Sequence, residues 1–208
     1  MDDTEEYRRD IAAMRRAVRP KDIAGRLAPD VERRAEELVA AAAGRIEVVD
    51  ALVRRVTFEV LGDYFGVTAP AGADLRVWAT RLFKFQFADS GDDPALRREV
   101  DAIAPALRAH VDFLIAERRA AGDGVGKDDV LGRCLALQAE GRAGFGDAQI
   151  RSALVGFMVG GPPQPPMVVP QALEQLLRRL RGAGRRAGGR APQRRCAACR
   201  LRVRGDAL

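Results

Sequence analysis

Apolar residues return every three or four positions through most of this chain, and that period constrains the fold more than any other feature. Ile11, Met14, Ala17 and Val18 share one helical face in residues 5–18. In residues 29–43 the set Val31, Ala35, Leu38, Val39 and Ala42 does the same. That stretch opens on Pro29 with early acids and stops at Gly44, the usual start and stop chemistry of a helix. Val49, Leu52, Val53, Val56, Val60, Leu61 and Tyr64 carry the period up to Gly66. Leu75, Trp78, Leu82 and Phe85 mark another helix over residues 73–87. Phe83, Phe85 and Phe87 also alternate there as in a short strand, and the helix is the preferred reading.

Residues 90–94, Ser90-Gly91-Asp92-Asp93-Pro94, form a loop that ends in a cap and a first-turn proline. A long helix follows through Leu96, Val100, Ile103, Leu107, Val111, Leu114 and Ile115, with a kink expected at Pro105. Residues 122–126 read as a linker, 128–138 as a short helix and 141–146 as a loop. From Asp147 an apolar helix on Ile150, Leu154, Val155 and Met158 runs into Gly160-Gly161-Pro162-Pro163-Gln164-Pro165-Pro166 and resumes over residues 169–177. Four prolines in seven residues cannot sit in an undisturbed helix, so an interruption is expected across 160–166. With 5% aromatic residues and an abundance of Ala, Leu, Val and Arg, the fold class is all-α.

Charge divides the chain in two. From Arg178 to Leu208 there are eleven arginines and one acid, Asp206. Of 35 basic and 29 acidic residues in all, this leaves residues 1–177 with 24 basic and 28 acidic side chains, a body of net −4 beside a tail of net +10. The organisation expected is a helical body, 1–177, and an Arg-rich tail, 178–208, without an apolar period and therefore disordered. The start, Met1-Asp2-Asp3-Thr4-Glu5-Glu6, has no positive n-region or apolar h-region. The longest apolar run, 153–159, is too short to span a bilayer, and the chain reads as cytoplasmic.

Few residues offer chemistry. There is no P-loop, dinucleotide-binding turn, nucleophile elbow or spaced histidine cluster. The lone histidine, His110, follows Leu107 by three and precedes Leu114 by four, as a core or boundary residue does. Cys196-Ala197-Ala198-Cys199 has metal or redox spacing but lacks a second ligand pair, and Cys134 sits on an apolar helix. The arginine tail suits a phosphate backbone or an acidic surface, with a solvated basic extension as the plain form of the same idea. The segment 160–166 fits a stiffened loop and fits equally a place where backbone approaches a flat ligand.

Taken in order, these elements resemble the middle of a bacterial cytochrome P450. Residues 7–18, Tyr7-Arg8-Arg9-Asp10-Ile11 through Arg15-Arg16-Ala17-Val18, resemble the family's C helix. Residues 60–67, Val60-Leu61-Gly62-Asp63-Tyr64-Phe65-Gly66-Val67, are similar to the turn after its E helix. Leu114 to Arg119 followed by Lys127-Asp128-Asp129-Val130-Leu131 resembles the end of the G helix and the entry to H. Asp147-Ala148-Gln149-Ile150-Arg151 through Gly160-Gly161 resembles the I helix that crosses the haem face.

The resemblance implies a haem-thiolate oxidoreductase acting on a small apolar or lipid-like substrate. Arg15 and Gly160 would contact the haem, with Gly161 and Gln164 beside the reacting atoms. The sequence departs from the family at three places. Pro163 and Gln164 stand where the family has its acid and first threonine, which favours a peroxide or lipid hydroperoxide over dioxygen as oxidant. Ile11 stands where the C helix has a histidine. The Phe-x-x-Gly-x-x-x-Cys haem loop does not occur, so this chain is expected to bind no haem stably and to be inactive as written. Read one base forward from Arg181, synonymous codons permit a tail that regains a helical period and ends in the family's Glu-x-x-Arg pair, so the expectation is a shifted frame. The alternatives are a helical module whose arginine tail contacts nucleic acid or an acidic surface, and a small helical regulator without a cofactor.

Overall fold

The computed structural model describes residues 4–122 and 127–186, and these are almost entirely helical. Eight α-helices follow in order: α1 (Glu5–Ala17), α2 (Ala28–Ala41), α3 (Arg55–Phe65), α4 (Leu75–Phe87), α5 (Pro94–Ala120), α6 (Val130–Ala139), α7 (Asp147–Gly160) and α8 (Gln164–Arg186). Two wider π-helical segments, Ile23–Leu27 and Val48–Arg54, lead into α2 and α3. Among the described residues no helix is long and apolar enough to cross a membrane.

Local chemistry sets the helix starts. Thr4, Asp74, Asp93 and Asp129 each take a first-turn amide onto a side-chain oxygen, and Glu47 accepts from Val49, Asp50 and Ala51. The alternating phenylalanines of 83–87 lie on a helix, α4, as the stripe of Leu75 and Leu82 requires. Pro29 explains one π segment in part. It has no amide to give the Gly25 carbonyl, and the Ala28 amide reaches back five residues to Ile23. Helix α5 continues through Pro105 as one element.

The core forms around α7, which packs on α3, α4, α5 and α6. Its Ile150, Leu154 and Met158 are fully buried against Leu107, Val111, Leu131 and Phe145. Each such side chain contributes about 2 kcal/mol by leaving water. Phe157 of α7 stacks on Phe65 of α3 with ring centroids 5.2 Å apart. Helices α4 and α5 pair with each other, α1 rests on α6, and α8 lies on the Val48–Arg54 segment.

The interruption expected across 160–166 is present but narrower, because only residues 161–163 leave the helix. Pro165 and Pro166 occupy the first turn of α8, where an amide has no intrahelical partner to lose. A second difference concerns the end of the helical region. Helix α8 runs to Arg186, past the change of composition at Arg178, since Arg, Leu and Ala keep high helix propensity after the apolar period has stopped. The linker residues 123–126, the Cys196 and Cys199 pair and the rest of the arginine tail lie outside the described residues.

Gly66 ends α3 at φ +75°, and its amide returns to the Gly62 carbonyl. A Cβ there would sit 2.8–2.9 Å from the Asp129 carboxylate. Gly66→Ala therefore adds left-handed strain to displacement of a buried acid. It is expected to lower the unfolding free energy by about 2 kcal/mol, read as a shifted midpoint in urea. An unchanged midpoint would show that this turn has room to relax.

Candidate functional site

Gly160, Gly161 and Gln164 come together at the junction of α7 and α8. Pro162 and Pro163 carry no amide, so the carbonyls of Met158 and Val159 lose their partners four residues on. The Gln164 amide goes to the Gly161 carbonyl at 3.2 Å, and the side chain covers the next orphan: its Nε2 donates to the Gly160 carbonyl at 2.7 Å. Gln164 thus closes the end of α7 as well as starting α8, while itself remaining exposed.

The outer face of α7 is unusually bare. Gly156 is exposed, and a Cβ built on either Gly156 or Gly160 meets nothing within 4 Å. Ser152 continues the same face one turn earlier and is also exposed. Gly161 differs, for a Cβ there would press on the Phe157 carbonyl at 2.9 Å. The residues present suit a flat group lying along the face at Gly156 and Gly160, since backbone is reachable there with no side chain in between.

Arg15 is exposed on α1, whose packing partner is α6, and among the described residues it forms no ion pair. No hydrogen bond or ion pair joins Arg15 to Gly160, Gly161 or Gln164 among the described residues. His110 donates from Nε2 to the Thr68 carbonyl at 2.8 Å and stands at the boundary of the core. Cys134 is buried on α6. Burial, reinforced by the nearby Asp129 charge, pushes its thiol up to about 12 against the smaller pull of Arg133. Its thiolate is therefore scarce at neutral pH. Among the described residues no group of three or more His, Cys, Asp or Glu side chains is placed to hold a metal ion.

Sequence reasoning missed a buried ionic cluster around Arg133. Its Nη1 donates to Asp22 at 2.5 Å and to the Ala17 carbonyl at 2.9 Å, and its Nε donates to Asp128 at 2.6 Å. The Tyr64 hydroxyl donates to Asp22 at 3.0 Å, and the guanidiniums of Arg133 and Arg26 lie over the Tyr64 ring. Burial opposes charge on Asp22, but the hydrogen bonds from Arg133 and Tyr64 and the charges of Arg133 and Arg19 outweigh it and hold the carboxyl below its ordinary value. Burial and the Asp22 charge push the Tyr64 hydroxyl up. One signal was available. Arg133 interrupts the otherwise apolar stretch Val130-Leu131-Gly132-Arg133-Cys134-Leu135, and an arginine so placed needs a buried partner.

Comparison with known protein families and with curated proteins gives no match for this chain.

Removing the acid of the buried pair leaves Arg133 without its closest carboxylate. Asp22→Ala is expected to cost about 3 kcal/mol of stability at neutral pH. Because the folded carboxyl titrates below the ordinary 3.8, its contribution is complete above that pH and is lost as pH falls through the depressed value. Urea unfolding at pH 7 and pH 3 should show a gap between native and variant that narrows in acid. A gap that stays constant or widens would contradict the assignment.

Proposed function

We propose that this chain is the central helical part of a haem-thiolate oxidoreductase of the cytochrome P450 kind, inactive as written, acting when complete on a small apolar or lipid-like substrate in the cytoplasm. The observation that carries this reading is the bare face of α7 ended by the Gly160 to Gln164 junction. A flat group is admitted along Gly156 and Gly160, and the helix opens one turn later at an amide side chain. The order of helices, with an apolar α7 packed on α4 and α5, supports the same reading.

Haem, when bound, supplies the redox chemistry of its iron, and the protein supplies orientation and electrostatics. Gly160 would lie against the ring and Arg15 would hold one of its carboxylates. The neutral Gln164 amide already donates to the Gly160 carbonyl. It orients polar ligands but cannot donate and regain a proton at neutral pH as a carboxylic acid can. This favours a peroxide or lipid hydroperoxide, which brings its own O–O bond, over dioxygen. The thiolate must come from outside the described residues, since Cys134 is buried and protonated.

Two measurements test the proposal. The DNA beyond codon 180 should encode Phe-x-x-Gly-x-x-x-Cys in one of its frames, and the protein read through that frame should give the red-shifted carbon monoxide band of thiolate-bound haem. The chain as given, reduced with haem and carbon monoxide, should lack the band. Absence of the cysteine motif from every frame would remove the family reading. A red-shifted band from the present chain that disappears in Cys134→Ser would show an axial ligand where none is expected.

A further inference from the structure

A cavity of about 520 Å³ opens between the Val48–Arg54 segment, α4 and the start of α8. None of Gly160, Gly161 and Gln164 lines it. Its volume lies in the range of small-molecule pockets. Its apolar lining is Val77 and Phe83 of α4 with Pro163, Pro166 and Met167. Its charged lining has four cations against two carboxylates.

Three of those cations are already satisfied. Arg54 holds Asp50 at 2.7 Å and donates to the Thr80 hydroxyl at 2.8 Å. Arg76 grips Asp74 at 2.8 Å, and Arg81 reaches outside the cavity to Glu99 at 3.0 Å. Lys84 is the exception. It is half-buried on the cavity wall beside Phe83 and has no hydrogen-bond or ion-pair partner among the described residues. A partly desolvated ammonium without a counter-charge, next to an apolar wall, is complementary to one anionic head on an apolar body.

We infer that this cavity binds a monoanionic amphiphile, a carboxylate on an unbranched hydrocarbon chain, with Lys84 on the carboxylate and the chain laid along Phe83, Pro166 and Met167. The single unmatched charge selects one carboxylate over a phosphate dianion. The paired Arg54 and Arg76 close the polar rim without competing for the ligand. The site needs no haem, so it stands or fails separately from the oxidoreductase reading.

Calorimetry on the full chain, with decanoate below its micelle concentration and no haem present, tests the site. Native protein is expected to bind decanoate. Lys84→Gln should weaken binding about tenfold or more, while Lys84→Arg, which keeps the charge, should retain most of it. Decanol and inorganic phosphate should each bind at least about tenfold more weakly than decanoate, because each lacks one half of the recognition. Thermal unfolding of both variants checks that the fold is intact. No binding of decanoate to native protein, equal binding to the folded Lys84→Gln variant, or equal affinity for decanol or phosphate would each overturn the inference. Decanoate binding by a chain that fails the haem tests leaves this site standing and the proposed function not; haem chemistry without decanoate binding does the reverse.

Discussion

The end of the N-terminal helix is tied to the rest of the molecule by one guanidinium, beside the apolar contacts of Ala13 and Ala17. Arg133 enters the interior from α6 and meets the Ala17 carbonyl at the end of α1, Asp22 just before the first π segment, and Asp128 just before its own helix. Those acceptors come from the end of α1 with the turn after it and from the start of α6, so the fork geometry of one side chain joins the two. Every buried side-chain nitrogen and oxygen among the described residues has a partner. A charged cluster placed this deep is tolerable only under that condition.

A second polar junction repeats the arrangement nearby. Asp129 accepts from the Gly132 amide at 2.7 Å and from Arg118 at about 3.0 Å, joining the end of α5 to the start of α6. Gly66 and Gly132 both approach the Asp129 carboxylate closely enough that a Cβ at either would crowd it. The end of α3, the end of α5 and the start of α6 therefore meet at a carboxylate rather than at an apolar contact. Gly66 also supplies the left-handed end of α3, and a Cβ at Gly132 would lie 2.4 Å from the Lys127 carbonyl.

The helices were legible because each announces itself twice, by an apolar stripe and by its ends. Asp93 with Pro94, and Gly66, fix termini that the stripes alone leave vague. The π segments carry no comparable mark, since Val49, Leu52 and Val53 satisfy an α period equally well. The end of α8 was misplaced because apolar period was taken as the criterion of helix, while Arg and Ala propagate a helix without one. For the candidate site, the glycines and prolines of 160–166 were visible as a break. The Arg133 cluster and the Lys84 cavity were not, because both are built from residues far apart in sequence whose partners only the packing reveals.

Different residues of the segment 160–166 contribute to the two ligand-binding proposals. Gly160 leaves the end of α7 bare, and Pro163 and Pro166 turn their rings to the cavity beside Phe83 and Met167. Between them the Gln164 amide turns to the Gly161 carbonyl, and the Gln164 side chain donates to the Gly160 carbonyl in its place. Proline removes amide donors and stiffens the backbone at once, so the junction keeps a fixed shape at the cost of orphaned carbonyls. Gln164 caps the carbonyl that follows them, that of Gly160, with its side chain. An acid at this position, ionised at neutral pH, would present only acceptors to a carbonyl and would leave it uncovered.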